Sequence, residues 1–531
     1  MLIDSLGENT DSVIVCTSAV FSALVFSLIL VPIVRYLAIS VGMTDKPDQK
    51  RKLQSKAISL GGGLAVYGSL AAAFCFTIWV DRTYFDQILG AIGFRWYVLF
   101  GCAAALMVVG LIDDRWGLRG RQKLLLQVLI VACLIGSNTT ISQIDLIVYR
   151  LELGVFAYPV TMVWLLFAIN ALNLIDGADG MATTVGTIVS IGFGLVSLAS
   201  MGPSYPAIVG FALAGSLMGF FVFNKPPASI YLGDAGSMMI GLFIGVLATW
   251  GTVKESTILA AAPIAIMILP LFDSTAAVVR RWLTGRSIYV TDRGHLHHLL
   301  QQRFGIHGML AIVAIACIVT TSMAVLAVVT GHSWISYLGI LLVGGGLIAT
   351  KSFGHAEARL IMGRGFHFAR SFTVHPSKCE VKQLHLGVPL QGDGPWETLW
   401  EPLVEFAAAN GITQIKIDLN LAWIHEGYHA AWRNVRLPER ASRLNVNLPL
   451  FLQRGDEEIT IGRLEVVIKA DDSRAYASIA ALGDRLTDIT PQLNHIVSEL
   501  EAQKRFELTS NATVVPDSNP SMGAAEPQLV E

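Results

Sequence analysis

Along the first two thirds of the chain, apolar residues come in stretches of roughly 17–25, the length that crosses a bilayer as helix. Short polar loops separate them from about Ser12 to Thr350. About eleven transmembrane helices are expected, near residues 13–38, 62–80, 96–112, 123–138, 158–174, 184–200, 205–223, 236–251, 257–280, 309–330 and 333–350. The first is too long for a signal-peptide core and lacks a basic start, so it reads as a retained span. After Lys351 the pattern changes. Segments 380–390 and 412–421 read as strands, with an amphipathic helix between them that ends at Gly411. Segments 445–453 and 460–470 predict a hairpin around Arg454–Glu458, and 474–503 predicts helix. The expected organisation is a membrane domain over 1–350, a linker over 351–371 and an α+β domain over 372–503. The tail 504–531, rich in Ser, Pro, Asn and Ala, is expected to be disordered.

Composition sharpens this into a class. The chain has 531 residues, 53% hydrophobic and only 15% charged, where soluble domains carry about 25% charge. A net charge of -2 offers no field for nucleic acid. The six Cys form no C-x-x-C pair, and all but Cys379 lie in apolar runs, so neither a disulfide framework nor a zinc knuckle fits. A polytopic α-helical membrane protein remains. Its orientation follows from the basic loops. One set carries Lys46, Lys50, Arg51, Lys52 and Lys56, then Arg115, Arg119, Arg121 and Lys123, then Lys225, then Arg280, Arg281, Arg286, Arg293 and Arg303. The alternate set carries only Arg82, Arg95, Arg150 and Lys254. The basic side is expected to be cytoplasmic, with the N-terminus outside and the C-terminal α+β domain inside.

Polar residues concentrate on that same side. Asp113 and Asp114 close an apolar run; Asn170, Asn173, Asp176 and Asp179 sit in INALNLIDGADGM; Asn224 and Asp234 bracket FNKPPASIYLGDAGS; Asp273 and the group His295, His297 and His298 follow. Each has a bland reading. An acidic pair can be a solvated helix end, D-G-x-D-G can be a turn, and H-x-H-H can hold zinc. The histidines lack Cys partners and stand beside Arg293 and Arg303, which favours phosphate. Convergence outweighs the bland readings, because unpaired ionisable groups at membrane depth cost several kcal/mol. Carboxylates and an amide oxygen suit a hard cation such as Mg²⁺, and nearby basic groups suit a transferring phosphoryl group. Such a face can take one substrate from water and another from the lipid leaflet.

At these residues the chain resembles the polyprenyl-phosphate N-acetylhexosamine-1-phosphate transferases, in particular the bacterial undecaprenyl-phosphate GlcNAc-1-phosphate transferases. The resemblance covers roughly residues 12–350. It rests on D-x-P, R-K and GG at Asp45, Pro47, Arg51, Lys52, Gly61 and Gly62, and on DD at 113–114 with Lys123 nine residues on. It rests further on N-x-x-N-x-x-D-G-x-D-G from Asn170 to Gly180, on N-x-x-P-A with G-D-x-G-S from Asn224 to Ser237, and on H-x-H-H. Two positions depart from the family. Gln54 stands where a His is usual, and Ser59 where a Pro precedes GG. Gln54 cannot carry charge, so with Arg51 and Lys52 it is read as a positioning contact of the first loop.

The resemblance implies transfer of N-acetylhexosamine 1-phosphate, GlcNAc-1-phosphate first among the choices, from a UDP-sugar to undecaprenyl phosphate with release of UMP. It implies Mg²⁺, with Mn²⁺ as the other option, held by Asp234 and Asn173. Asp113, Asp114, Lys123 and Asp176 are the implied catalytic residues, with Lys123 on the donor phosphate. Asp179 and Tyr231 are implied for the uracil, and His295, His297, His298 and Arg303 for pyrophosphate or sugar. Expected partners are the UDP-N-acetylhexosamine, undecaprenyl phosphate and the bilayer of the inner (plasma) membrane. A homodimer and a protein partner for the C-terminal domain stay open. Two alternatives also stand: a phospho-MurNAc-pentapeptide transferase, whose histidine motif differs from H-L-H-H, and an ion-coupled transporter, whose acids belong near span centres.

Overall fold

The computed structural model describes residues 2–45, 57–80, 93–145, 150–201, 204–251, 258–284, 294–362, 384–391, 394–424, 426–433, 438–454, 457–470 and 474–512. The chain divides into two compact units, Met1–Ala358 and Arg359–Glu531.

Helices build the first unit: α1 (Leu2–Ser40), α2 (Gly62–Val80), α3 (Gly93–Trp116), α4 (Gly120–Gly136), α5 (Ala157–Ile175), α6 (Met181–Met201) and α7 (Tyr205–Asn224). They continue as α8 (Gly233–Gly251), α9 (Ile258–Ile266), α10 (Ile268–Thr284), α11 (Leu296–Thr330), α12 (Trp334–Ala349) and α13 (355–362). Among the described residues, 8 helices are long and apolar enough to cross a membrane, so the protein is a multi-pass membrane protein. Three of the expected spans are different. Helix α4 has 17 residues and α12 has 16. The stretch expected as one span over 257–280 is two helices, α9 and α10, broken at Met267. Pro270 has no N–H to give the Ile266 carbonyl one turn back, so the ladder opens there. Residues 355–362, expected within a linker, are helical.

Helix α8 stands at the centre, packed against α2, α3, α5 and α6. From Met238 to Ala248 its apolar side chains are buried on every side, as a helix without a polar face must be. Small residues let its first turn approach its neighbours: a Cβ on Gly110 of α3 would press on Ala235, and one on Gly63 of α2 on Gly236. Beside that turn, two short strands, β1 (Thr44–Asp45) and β2 (Ile58–Ser59), pair antiparallel. The Ser59 carbonyl accepts from Tyr231 N at 2.9 Å, and Gly62 N donates to the Tyr231 carbonyl at 3.0 Å. A second ribbon, β3 (Gln143–Asp145) and β4 (Arg150–Glu152), precedes α5.

In the second unit, five antiparallel strands form one sheet: β5 (Leu384–Gln391), β6 (Gln414–Leu421), β7 (Glu426–Arg433), β8 (Arg443–Arg454) and β9 (Glu457–Lys469), in the order β5-β7-β6-β9-β8. Alternation decides the face. Ile415, Ile417, Leu419 and Leu421 of β6 share a core with Tyr428, Ala430 and Trp432 of β7, and helices α14 (Glu397–Ala409) and α15 (Ala475–Ala512) contribute Leu399, Trp400, Leu403, Leu482 and Leu493. Strand β7 has no counterpart in the sequence expectation. Gly427, Ala430 and Ala431 are poor strand formers, and its alternation begins with Glu426, whose buried carboxylate accepts from Trp396 Nε1 at 3.0 Å. The expected tail begins inside α15, which runs on to Ala512; residues 513–531 lie outside the described ones.

Candidate active site

Where α3, α4, α5 and α8 meet, four polar side chains close around one point. Asp113 sits in the last turn of α3, Lys123 in the first turn of α4, Asn173 near the end of α5, and Asp234 in the first turn of α8. Lys123 Nζ lies 2.6 Å from Asp234 Oδ2, 2.9 Å from Asp113 Oδ2 and 3.1 Å from Asn173 Oδ1. Asn173 Nδ2 donates to Asp234 Oδ1 at 2.7 Å and to Ser237 Oγ at 3.0 Å. Asp113 Oδ1 accepts from Leu118 N at 2.6 Å, so the turn between α3 and α4 fixes that carboxylate. The lysine side chain is 14% exposed. A cation so enclosed is held by charge and geometry together.

Asp114 faces a different task. Its Oδ1 accepts from Asp234 N at 3.0 Å and its Oδ2 from Ala235 N at 3.5 Å. It therefore satisfies the open N–H groups of α8 from another helix, as an N-cap does from its own. A carboxylate also suits the positive end of the helix dipole. The two adjacent acids thus divide: one binds the lysine, the other seats the helix that carries Asp234.

The loop from Asp176 to Gly180 joins α5 to α6. Asp176 is partly buried, and its carboxyl is pushed well above the ordinary range, first by burial and then by the charges of Asp234, Asp114 and Asp179. Asp179 Oδ2 accepts from Ala228 N at 2.9 Å, which ties this loop to the segment before α8. Tyr231 lies on that segment. Its phenol is pushed up by burial and then by the charges of Asp179 and Asp45, so the three are neighbours. Asn224 braces the same segment, donating to the Ile230 carbonyl at 3.0 Å and accepting from Thr183 Oγ1 at 2.7 Å.

The histidine motif lies on a helix start rather than in a loop. His295 precedes α11, and His297 and His298 are in its first turn. Asp273 of α10 holds this end with both oxygens: Oδ2 is 3.0 Å from His295 Nδ1, and Oδ1 accepts from Leu296 N at 2.7 Å. His297 is 3% exposed, and a Cβ on Gly177 would collide with its ring. The histidine motif and the Asp176 loop therefore touch. Arg303 is elsewhere in the described contacts: it is exposed, stacks over Phe304 and donates to the Thr350 carbonyl at 3.1 Å. Arg51, Lys52 and Gln54 lie outside the described residues.

Two contributors have no role assigned from the sequence, although Ser237 closes the G-D-x-G-S motif. Gln127 is one turn beyond Lys123 and fully buried; it accepts from Asn170 Nδ2 at 2.9 Å and so locks α4 to α5. Ser237, three residues after Asp234, takes the second hydrogen of Asn173. Helical spacing from the charged residues is the signal that finds both.

A metal fits this donor set. Asp234 Oδ2 and Asn173 Oδ1 already converge on a cation, the Lys123 ammonium, and both are hard oxygen donors of the kind Mg²⁺ takes. Among the described residues no group of three or more His, Cys, Asp or Glu forms a closed metal cage.

The centre lies in the part of the chain that a known family matches. The model of glycosyl transferase family 4 matches residues 96–252, which span Asp113 to Asp234. A Bacillus subtilis (strain 168) protein, described as a probable undecaprenyl-phosphate N-acetylglucosaminyl 1-phosphate transferase, is 30% identical over 325 residues, covering 60% of this chain and 86% of that one. The decaprenyl-phosphate N-acetylglucosaminephosphotransferase of Mycolicibacterium smegmatis is 30% identical over 292 residues, 51% of this chain and 71% of the relative. The undecaprenyl-phosphate alpha-N-acetylglucosaminyl 1-phosphate transferase of Escherichia coli (strain K12) is 27% identical over 315 residues, 58% and 82% of the two chains.

Proposed function

The chain belongs to glycosyl transferase family 4, and from that premise we propose that it transfers N-acetylglucosamine 1-phosphate from UDP-GlcNAc to undecaprenyl phosphate, releasing UMP. The observation that carries the reading is the Lys123 centre: one cation and two acids at one end of the helical bundle, beside Asp176 and the histidines. In this reading that end meets both water and the lipid leaflet, as a reaction between a nucleotide sugar and a lipid phosphate requires.

An oxygen of the lipid phosphate attacks the β-phosphorus of the donor in line; the bond from that phosphorus to the bridging oxygen breaks, and UMP leaves. Lys123 donates to the leaving phosphate as charge builds there. Little base is needed, because the second pKa of a phosphate monoester is about 6. Asp176 stands beside this centre, its carboxyl raised by burial and by the neighbouring acids, and is the candidate to exchange any remaining proton. Asp179 and Tyr231 face the base and His295, His297 and His298 the sugar phosphate. Asp234 and Asn173 would hold Mg²⁺, which when bound supplies Lewis-acid neutralisation of the donor phosphates.

In this reading the protein lies in the inner membrane, with the site and the second unit cytoplasmic. Single Cys residues replacing Lys50 and Thr509 should resist an impermeant thiol reagent in intact cells, and one replacing Gln87 should react. The activity itself is tested by giving the purified protein each radiolabelled UDP-N-acetylhexosamine with undecaprenyl phosphate. Labelled lipid and equimolar UMP are expected with UDP-GlcNAc. Transfer from none of the donors removes the assignment.

A further inference from the structure

Away from the Lys123 centre, a second buried charge cluster reaches the histidine motif from behind. Asp273 and Arg280 lie seven residues apart on α10, two turns, and so share a face. Asp273 holds His295 and Leu296, as described. Arg280 Nη2 donates to the Gly294 carbonyl at 2.8 Å, one residue before His295. The fit is close: a Cβ on Gly294 would collide with the guanidinium. Arg280 Nε in turn donates to Glu357 Oε1 at 2.6 Å, and the two side chains are only 3% and 9% exposed.

Glu357 is the odd member of its helix. Ala356, Glu357 and Leu360 are buried on one face of α13, and Phe353, just before the helix, is buried too. A carboxylate stands in the middle of an otherwise apolar stripe. Buried ion pairs seldom stabilise more than the apolar residues that would replace them, so packing alone gives no reason for Glu357. Its effect on Arg280 does. The guanidinium is planar, and fixing Nε on one side aims Nη2 at the Gly294 carbonyl on the other.

We infer that Glu357 is a positioning residue of the transferase site, acting through Arg280 on the Gly294 carbonyl and so on the placement of His295, His297 and His298. The inference rests on the reading of those histidines as contacts of the nucleotide-sugar donor. Glu357 touches no substrate; it sets where the donor contacts stand. Loss of its acceptor oxygen should therefore weaken use of the donor and leave use of the lipid phosphate alone.

The test uses the full chain, purified in detergent, with kcat and KM measured separately for UDP-GlcNAc and undecaprenyl phosphate. For Glu357→Ala, donor KM should rise about tenfold or more while lipid KM stays within about twofold, the split expected when one substrate's contacts are displaced. Glu357→Gln keeps size and an acceptor oxygen, folds more readily, and should recover most of the loss. The double variant Arg280→Ala/Glu357→Ala should be no worse than Arg280→Ala, since residues acting in series do not add. A lower melting temperature for Glu357→Ala with wild-type kcat and both KM values per folded protein would overturn the inference, and so would additive losses in the double variant. A wild-type protein that transfers nothing takes the transferase reading down first, and this inference with it.

Discussion

The two units treat charge in opposite ways. In the second, charged side chains on the sheet are matched: Lys416 meets Glu465 of the neighbouring strand at 3.1 Å, and Arg463, on the same strand as Glu465, meets that carboxylate at 3.4 Å. The one deeply buried acid described above, Glu426, is satisfied by an indole and a backbone N–H. At the polar end of the first unit, Asp113 and Asp234 share Lys123, and Asp176 feels the charges of Asp234, Asp114 and Asp179. Gathering like charges costs stability. A fold that only had to persist would not collect them, whereas a site awaiting a cation and a phosphorylated substrate must. The contrast separates a unit organised around chemistry from one organised around its own core, and each prediction below strains it at a different point.

The largest effect belongs to Asp234. Asp234→Asn keeps the size, and so the seat on Asn173, but removes the charge that faces Lys123. Turnover should fall at least about a hundredfold, the scale of losing one strong electrostatic contact in a site. Expression and membrane insertion should be unchanged. The rival view is that Asp234 merely opens α8, in which case the change costs about 1 kcal/mol of stability and spares chemistry. Mg²⁺-dependent UMP release by the purified variant decides between them, and near wild-type turnover would remove Asp234 from the site.

Asp176 comes next and gives a signed pH dependence. Its carboxyl is raised in the folded protein, so the fold prefers the protonated form. The resulting destabilisation is absent below the unfolded pKa, about 4, and grows as pH rises from there toward the raised value. Asp176→Asn removes it. The melting temperature of the variant should match wild type near pH 4 and exceed it increasingly toward pH 7, while turnover falls about tenfold or more. A stabilised variant that is as active as wild type would mean the strained acid has no part in the reaction.

Much of the first unit could be read beforehand, and the reasons are physical. Apolar runs of bilayer length announce themselves without any knowledge of packing, and the acids stand out because the membrane makes them costly. Division of labour could not be read. Asp113 and Asp114 are identical neighbours in sequence, yet a helix directs them about 100° apart, one to Lys123 and the other to the N–H groups of α8. Arg303 follows the histidine motif closely, but Gly305 breaks the helical path nearby (φ 69°), and Arg303 ends on the Thr350 carbonyl. Strand β7 was invisible because its key partner, Trp396, is thirty residues away in sequence.

A truncation should matter less than either point change. The first unit has its own continuous core, from Val15 to Phe353, built from residues before the second unit begins. Ending the chain after Gly365 leaves that core and the Lys123 centre intact. The truncated protein should retain transfer within about threefold of wild type, the margin for losing remote interactions without losing the catalytic contacts. Complete loss of turnover in a monodisperse, correctly inserted truncation would place part of the chemistry in the second unit.

The smallest effect on transfer is expected from the second unit's own buried acid. Glu426 is 3% exposed, and its Oε2 accepts from Trp396 Nε1 at 3.0 Å and Gly394 N at 3.2 Å. It thereby pins the start of α14 to the start of β7. Glu426→Leu removes this acceptor from the buried Trp396 Nε1, at a cost of about 1–3 kcal/mol; Glu426→Gln keeps one oxygen and should cost less. Hydrogen exchange read on peptides from 426–433 should speed up in the Leu variant, and less in the Gln variant, while peptides from α8 stay as protected as in wild type. Neither variant should change kcat or KM for either substrate. If the Leu variant slowed transfer at a temperature where exchange shows the second unit still folded, that unit would bear on the reaction itself, and the separation between a working site and a self-supporting core would fail there.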